Sequence, residues 1–261
     1  MKPVALITGA SAGIGAELAR VFAEHGHDLV LVARREARLA ALADEIAATG
    51  RPRPTVLAID LGQRDAAARI AAELAALGFE PQFVVNNAGF GLSGAAAALD
   101  HGEELEMIDL NIRVLTELSL AFVESLARHR GGILNVASVA AFLPGPGMAV
   151  YYASKAYVLS FSEALHRELL GRGVRVTALC PGPVSTEFQQ RAGLRDGGAE
   201  RVLSVPADRV ARIGYRGLMR GQRVVVAGFG NKIAVFMLRL MPHAVLLPII
   251  DRRNGDTRGA A

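Results

Sequence analysis

Short apolar segments alternate with alanine-rich helical patterns along the chain, and this alternation limits the fold more than any other feature of the sequence. The apolar segments are continuous in hydrophobicity rather than alternating, which is typical of strands buried on both faces. The helical patterns end near a glycine, as helices commonly do. The sequence therefore predicts a parallel sheet with helices on both faces. The predicted strands are 4–8, 28–33, 55–60, 83–87, 132–138, 174–180 and 223–227, and the predicted helices include 15–26, 36–50, 64–78 and a long stretch at 102–129.

Composition narrows the class of protein. The chain has 261 residues, of which 51% are hydrophobic, and we predict one domain with one large core. The basic residues are scattered singly despite a net charge of +4, which argues against a nucleic-acid-binding face. Cys180 is the only cysteine, which excludes an internal disulfide and suits a reducing compartment. The N-terminal apolar run breaks within ten residues, too early for a signal peptide, so we expect a cytoplasmic protein.

A glycine-rich loop follows the first predicted strand. The segment TGASAGIG (8–15) opens a helix, and its glycines would let the backbone approach a pyrophosphate while helix N–H groups point at it. A tight turn without a ligand is the alternative explanation of an isolated glycine cluster. The spacing also differs from the G-x-G-x-x-G dinucleotide pattern. The loop alone therefore leaves both interpretations open.

Later motifs bear on that choice. They are NNAG (86–89), Asn111, Ser138, the Y-x-x-x-K pair Tyr151 and Lys155, and PGPVST (181–186). With the loop written as T-G-x-x-x-G-x-G, this order and spacing resemble the short-chain dehydrogenase/reductase family from about residue 4 to 230. The resemblance implies one doubly wound, Rossmann-type α/β domain whose seven-stranded parallel sheet has the order 3-2-1-4-5-6-7. It also implies an oxidoreductase that needs no metal and transfers hydride between a nicotinamide cofactor and a carbonyl or alcohol.

Two adjacent tyrosines precede Lys155 by about one helical turn. Reduction of a ketone leaves negative charge on oxygen, so the site needs a proton donor. A free tyrosine titrates near pH 10, and a nearby ammonium lowers that pKa. Both Tyr151 and Tyr152 could approach Lys155, so geometry alone does not choose between them.

The family resemblance assigns roles within this group. The Y-x-x-x-K spacing implies that Tyr151 is the acid in reduction and the base in oxidation, and that Tyr152 is a packing residue. Lys155 would lower the pKa of Tyr151 and bind the nicotinamide ribose. Ser138 would hydrogen-bond the substrate oxygen and the Tyr151 hydroxyl. Asn111 would hold the helix geometry and a water that connects Lys155 to solvent.

The end of the second strand bears on the choice of cofactor. Ala33 stands where NAD-preferring relatives tend to carry an acid, and Arg34 and Arg35 could grip a 2′-phosphate. We therefore predict NADP(H), with NAD(H) as the alternative because Ser11 replaces a basic residue of some NADP-preferring relatives and Arg34 could be a solvated surface residue. The implied cofactor-binding residues are Gly9, Ser11, Gly13, Ile14, Gly15, Arg34, Arg35, Asp60, Asn87, Ala88, Gly89, Tyr151, Lys155, Pro181, Gly182, Val184 and Thr186.

The segment 228–250 is more apolar than the family pattern requires. Arg239 and two prolines interrupt it, so a transmembrane helix is not expected. Three interpretations stay open: subunit packing, a lid over a large apolar substrate, and an interfacial segment resting on a membrane. We take residues 1–230 as the catalytic domain and 231–261 as an extension packed on it or at an oligomer interface. Our working hypothesis is that 231–250 covers the substrate end of the cleft.

These inferences predict an NADPH-dependent carbonyl reductase for a bulky or lipid-like substrate, with a homodimer or homotetramer expected from the resemblance. An NAD-preferring alcohol dehydrogenase of the hydroxysteroid type is the first alternative. A dinucleotide-sensing protein without turnover is the second. Substrate selection should reside in the loops 90–98, 140–149 and 185–204, the last two of which we expect to move. The candidates for an apolar pocket are Phe90, Phe142, Met148 and Phe188.

Overall fold

The computed structural model describes residues 1–184, 187 and 203–256, which contain one parallel sheet. Its seven strands run in the order β3-β2-β1-β4-β5-β6-β7, which confirms the predicted fold class and strand order. The strands are β1 (Lys2–Thr8), β2 (Leu29–Ala33), β3 (Thr55–Ala58), β4 (Phe79–Asn86), β5 (Gly132–Val136), β6 (Arg175–Cys180) and β7 (Val224–Val226). The third and fifth of these end two residues earlier than predicted.

Helices cover both faces of this sheet. Successive residues of a strand point to opposite faces, and Ile7 packs in the cluster that contains Phe22 of the first helix, whereas Leu6 packs with Ile70 of the third. All five residues of β2 and of β5 are buried, as expected for strands covered on both sides. The helices are α1 (Gly13–Glu24), α2 (Glu36–Ala48), α3 (Ala66–Ala76), α4 (His101–Ile108), α5 (Val114–Ala121), α6 (Val123–Arg128), α7 (Ala149–Leu169), α8 (Ala207–Met219), α9 (Phe229–Leu240) and α10 (His243–Asp256).

The helical stretch predicted at 102–129 is interrupted. Between α4 and α5 the backbone widens into a π-helical turn at Asp109–Arg113, and Phe122 separates α5 from α6. A π-turn adds one residue to a helical turn and is frequent at functional sites. Here the inserted turn carries Asn111, whose side chain is buried.

The last two described helices extend the domain beyond β7. Asn231 and Val235 of α9 are buried, as are Leu246 and Ile250 of α10. Within the described residues, no helix combines the length and the apolar character that a membrane crossing requires. Of the two loops expected to move, 140–149 includes a short 3-10 helix at Val139–Phe142, and 185–204 lies almost entirely outside the described residues.

Candidate active site

The carboxyl ends of the strands border a cleft of about 830 Å³. It lies where the strand order reverses between β1 and β4, the point at which doubly wound sheets bind their ligands. Residues that follow β1, β2 and β3 line one part of it, including Gly13, Arg35 and Asp60. Residues of α7 and α9, including Tyr151 and Leu238, line the other part. One cleft thus joins the predicted dinucleotide loop to the predicted catalytic helix.

Hydrogen bonds connect the glycine loop to the end of β4. The Thr8 hydroxyl donates to the Val85 carbonyl at 3.2 Å and accepts from the backbone N–H of Asn87 at 3.0 Å. The Asn87 amide donates in turn to the backbone oxygens of Thr8 and Gly9, at 3.0 and 3.2 Å. A Cβ atom on Gly15 would lie 2.3 Å from the Gly9 oxygen. Glycine is required at position 15 because the loop folds back against the helix.

Helix α1 starts at this loop, at the wall of the cleft. Gly13, its first residue, has a φ of 55° and lines the cleft together with Ile14. The preceding residue, Ala12, makes no side-chain capping bond. The first N–H groups of a helix lack intrahelical partners and favour an anion. The loop and the helix start therefore fit a dinucleotide pyrophosphate.

Guanidinium groups stand at the end of β2. Arg35 donates to the Ser11 hydroxyl through Nε at 3.2 Å and through Nη2 at 2.9 Å. Its Nη1 donates to a carboxylate oxygen of Glu187 at 2.7 Å, and Arg38 binds the other oxygen of that carboxylate. Hydrogen bonds from Arg38 and Arg35 hold the pKa of Glu187 below its usual range. Glu187 was not predicted from the sequence, because it lies beyond the motifs and contacts Arg35 only in the folded chain.

Ser138, Tyr151 and Lys155 come together beyond the end of β5. The Lys155 ammonium donates to the Val136 carbonyl at 2.9 Å and lies 5.9 Å from the centre of the Tyr151 ring. Ser138 accepts a hydrogen bond from the backbone N–H of Ala140 at 3.1 Å and is hydrogen-bonded to Tyr151. All three functional side chains are buried at the wall of the cleft. A phenol, a hydroxyl and an ammonium thus form one cluster.

Burial shifts both titrating members of this cluster toward their neutral forms. It raises the pKa of Tyr151 to about 12, against a smaller opposing effect of the hydrogen bond with Ser138. It lowers the pKa of Lys155 to about 8. The sequence analysis predicted that Lys155 lowers the pKa of Tyr151. In the protein alone the net shift of the Tyr151 pKa is upward, because desolvation of the phenolate outweighs the other influences on this group, and the effect of Lys155 stays a prediction.

Asn111 connects the π-turn to the loop after β4 and to α7. Its Oδ1 accepts from the backbone N–H of Phe90 at 3.1 Å, and its Nδ2 donates to the Phe90 carbonyl at 3.0 Å and to the Ser154 hydroxyl at 3.1 Å. A Cβ atom on Gly89 would lie 2.7 Å from Asn111 Oδ1. Asn111 thus links the π-turn to the loop after β4 and to α7, and its predicted role in the site stays a prediction.

Tyr152 both packs and lines the cleft. Its ring stands edge-on to that of Tyr151, with the centroids 6.1 Å apart. A Cβ atom on Gly145 would lie 2.3 Å from the Tyr152 ring, so the ring covers that glycine closely. The predicted packing role is present, but Tyr152 also borders the cleft.

Two asparagines of the C-terminal helices line the cleft and were not anticipated. Asn231 of α9 donates to the carbonyl of Leu203 at 3.0 Å. Asn254 of α10 donates to the carbonyl of Pro146 at 2.6 Å. These hydrogen bonds connect α9 and α10 to the segments that contain Leu203 and Pro146. Nothing in the apolar pattern of 228–250 marked Asn231, and Asn254 lies in the tail that follows it.

Most of the predicted site residues meet in this cleft. Gly15 and Asn111 support the loops behind its wall instead, Phe142 lies under the Arg239 guanidinium at 5.8 Å, and Thr186 and Phe188 are outside the described residues. The predicted residues that line the cleft are Gly9, Ser11, Gly13, Ile14, Arg34, Arg35, Asp60, Asn87, Ala88, Gly89, Phe90, Ser138, Met148, Tyr151, Lys155, Pro181, Gly182 and Val184.

Comparison with known proteins identifies the family. The sequence model of the short chain dehydrogenase family matches residues 3–196. Sulfoacetaldehyde reductase 2 of Chromohalobacter salexigens is 40% identical over 191 residues, 72% of this chain and 75% of that protein. A short-chain dehydrogenase from Sphingobium yanoikuyae, solved in complex with NADPH, is 31% identical with a TM-score of 0.78, over 99% of this chain and 96% of its own. The bulky-bulky ketone specific alcohol dehydrogenase from Comamonas testosteroni is 30% identical with a TM-score of 0.75, over 92% of each chain. The protein therefore belongs to the short-chain dehydrogenase family and is an oxidoreductase that acts on hydroxyl or carbonyl groups.

Proposed function

We propose that the protein is an NADPH-dependent carbonyl reductase for bulky, apolar ketones and aldehydes, and that it also runs in reverse as an alcohol dehydrogenase. The observation that carries the proposal is the cluster of Ser138, Tyr151 and Lys155 in the same cleft as the uncapped start of α1. The cluster supplies a proton donor, and the helix start supplies a place for a pyrophosphate. A protein that only senses a dinucleotide would not need the buried phenol.

The residues that would hold the cofactor follow from the lining of the cleft. Gly13 and Ile14 would bind the pyrophosphate through their N–H groups, and Asp60 would lie by the adenine. Arg34 and Arg35 would bind a 2′-phosphate, since both line the cleft after β2, where Ala33 brings no carboxylate. The relative from Sphingobium yanoikuyae that covers nearly the whole chain binds NADPH, which supports this preference. When bound, the cofactor would supply the hydride.

In the proposed reduction, Tyr151 donates its Oη proton to the substrate oxygen. Ser138 donates a hydrogen bond to the same oxygen, which stabilises the negative charge that develops there. The ammonium of Lys155 offsets the charge of the phenolate that remains, and the Val136 carbonyl fixes the position of that ammonium at 2.9 Å. Asn111 positions α7 under this group through its bond to the Ser154 hydroxyl.

The acid-base state of the cluster at neutral pH suits the proton donation that a reduction needs. With a pKa of about 12, the phenol of Tyr151 is protonated at neutral pH, which is the form that gives up a proton in reduction. Oxidation of an alcohol would need the phenolate, which burial disfavours. We therefore expect the proton-donating step of reduction to be ready at neutral pH, whereas oxidation should speed up as the pH rises.

The substrate end of the cleft is mainly apolar. Leu143, Met148 and Tyr152 line the cleft, as do Val235 and Leu238 of α9. This supports the hypothesis that the segment 231–250 covers the substrate end. A wide apolar wall suits a large apolar group on the carbonyl carbon. The Comamonas testosteroni relative is specific for bulky-bulky ketones, which agrees with that substrate class.

A cofactor titration and a ketone panel test the proposal. Protein fluorescence would be titrated with NADPH and with NADH, and NADPH oxidation would then be followed with a diaryl ketone and with acetone. We expect tighter binding of NADPH and faster turnover of the diaryl ketone. Tyr151→Phe should bind NADPH like the wild type and turn over neither ketone. Turnover of acetone but not of the diaryl ketone would reject the proposed substrate class.

The contact between Arg35 and Glu187 favours a second candidate function. This carboxylate occupies Arg35 and would repel a 2′-phosphate, whereas it could accept hydrogen bonds from ribose hydroxyls. On that basis the protein would be an NAD-preferring alcohol dehydrogenase of the hydroxysteroid type. Tighter binding of NADH in the same titration, with oxidation of a secondary alcohol, would decide for this candidate.

A further inference from the structure

One face of α9 presents large apolar side chains to the surface. Its five members are spaced at helical intervals and share one side of the helix. Their exposed fractions run from 50% for Ile233 to 78% for Phe229. The α9 apolar face consists of Phe229, Ile233, Phe236, Met237 and Leu240. A contiguous exposed group of this kind on one helix marks an interaction surface rather than scattered surface residues.

The opposite side of the same helix belongs to the protein interior. Asn231 and Val235 are buried, and Val235 and Leu238 line the cleft. The apolar face is therefore not part of the packing of α9 on its own domain. The next helix, α10, buries Leu246 and Ile250 in the same way and exposes Val245 and Ile249 at 51% each.

The charges beside the α9 apolar face are positive. Lys232 and Arg239 are exposed and lie seven residues apart, on one flank of the apolar stripe. The helix from 229 to 240 contains no aspartate or glutamate. The Arg239 guanidinium is placed over the Phe142 ring at 5.8 Å, which orders it at the edge of the stripe. The surface thus combines an apolar stripe with a cationic flank.

We propose that the α9 apolar face docks on the surface of an anionic phospholipid bilayer. An amphipathic helix with large apolar residues on one side and basic residues beside them lies in the interface of such a bilayer and is held there by apolar burial and by charge. A second copy of the chain fits this surface less well, because an antiparallel pairing of two such faces would bring their cationic flanks to the same side of the contact. The inference does not depend on the proposed substrate, since it concerns the outer side of α9.

Vesicle co-sedimentation of the full chain tests this assignment. The probes are vesicles of phosphatidylcholine with about a third phosphatidylglycerol, and vesicles of phosphatidylcholine alone. We expect binding to the anionic vesicles that weakens in high salt, and much weaker binding to the neutral ones. Lys232→Gln and Arg239→Gln should each weaken binding about fivefold. Phe236→Ser with Leu240→Ser should abolish it, and both positions are exposed enough for the fold to tolerate the change.

Matched variants separate this surface from the rest of the protein. Leu170→Ser removes an exposed leucine elsewhere, and Arg69→Gln removes an exposed arginine of α3, so neither should change vesicle binding. NADPH binding measured on each variant reports whether the fold is intact. Wild-type protein that sediments with neither vesicle overturns the proposal. Vesicle binding that persists in the double variant also overturns the proposal. If that variant in addition has a different molar mass in solution, the result favours a second copy as the partner.

Discussion

Replacing Lys155 by methionine should stabilise the folded protein while removing turnover. The ammonium is buried, and burial lowers the pKa of Lys155 from 10.5 to about 8. Each pKa unit corresponds to about 1.4 kcal/mol, so carrying this charge in the folded state costs about 3 kcal/mol at neutral pH. Methionine keeps an unbranched chain without the charge, and the lost hydrogen bond to Val136 gives back about 1 kcal/mol. The variant should therefore gain about 2 kcal/mol.

Thermal unfolding at several pH values measures this gain. With an unfolding entropy of about 2.1 cal/mol/K per residue, a gain of this size raises the Tm by about 4 °C. A lysine whose folded pKa lies below its unfolded pKa destabilises the folded state at a pH below both pKa values. This cost disappears as the pH rises above the unfolded pKa. The advantage of Lys155→Met should therefore be complete near pH 7 and shrink as the pH rises from about 8 to 10.5. The exposed lysine Lys232, changed to methionine, should shift the free energy of unfolding by less than about 0.5 kcal/mol. A lower Tm for Lys155→Met at neutral pH, or a gain independent of pH, would refute the reasoning.

Three further substitutions test other parts of the cleft. Tyr151→Phe should lower kcat for ketone reduction by roughly 10²–10⁴-fold. Tyr152→Phe should keep most of the wild-type kcat. Similar losses of kcat for both variants in a steady-state assay would contradict the assignment of the acid. Gly15→Ala places a Cβ atom 2.3 Å from a backbone oxygen of the loop, so it should cost about 1–3 kcal/mol in chemical denaturation and weaken NADPH binding. Gly171→Ala, with nothing within 4 Å of the new atom, is its control and should change neither quantity. Glu187→Gln releases two guanidinium groups and should tighten binding of NADPH but not of NADH in fluorescence titrations, and an equal effect on both cofactors would count against a 2′-phosphate site.

The fold followed from local patterns because a strand buried on both faces is continuous in hydrophobicity. The strand order came from the family resemblance, since no local pattern records which strands are neighbours. The break in the long helical stretch was missed because the residues of the π-turn at Asp109–Arg113 keep the helical pattern of their neighbours. The contacts at that turn are tertiary, because the Asn111 side chain forms hydrogen bonds with the backbone N–H and carbonyl of Phe90.

Within the site, residues that act through the backbone or at fixed spacing were predictable, and residues that act across the fold were not. Gly13 and Lys155 are recognised by their spacing from other motif residues. Glu187 reaches Arg35 across 152 positions, and Asn254 reaches Pro146 across 108. Contacts of that sequence separation leave no periodic signal in one chain. The proposed substrate end of the cleft includes one such contact, that of Asn254 with Pro146, whereas the proposed chemistry rests on residues at motif spacing. The sequence therefore predicts the chemistry in more detail than the substrate.

Burial rather than a charged neighbour sets the acid-base state of this site. The pairing of a phenol with an ammonium suggested a lowered pKa for Tyr151, yet desolvation is the largest cause of the shift in both groups and moves each toward its neutral form. The walls that exclude water therefore set how far the pKa of Tyr151 lies above 10.0 and how far that of Lys155 lies below 10.5. Val235 and Leu238 of α9 belong to those walls. If α9 moved away from the cleft, water would reach both groups and return the pKa values of Tyr151 and Lys155 toward 10.0 and 10.5. The apolar C-terminal segment would thus act on the proton-donating step and on the choice of substrate through the same side chains.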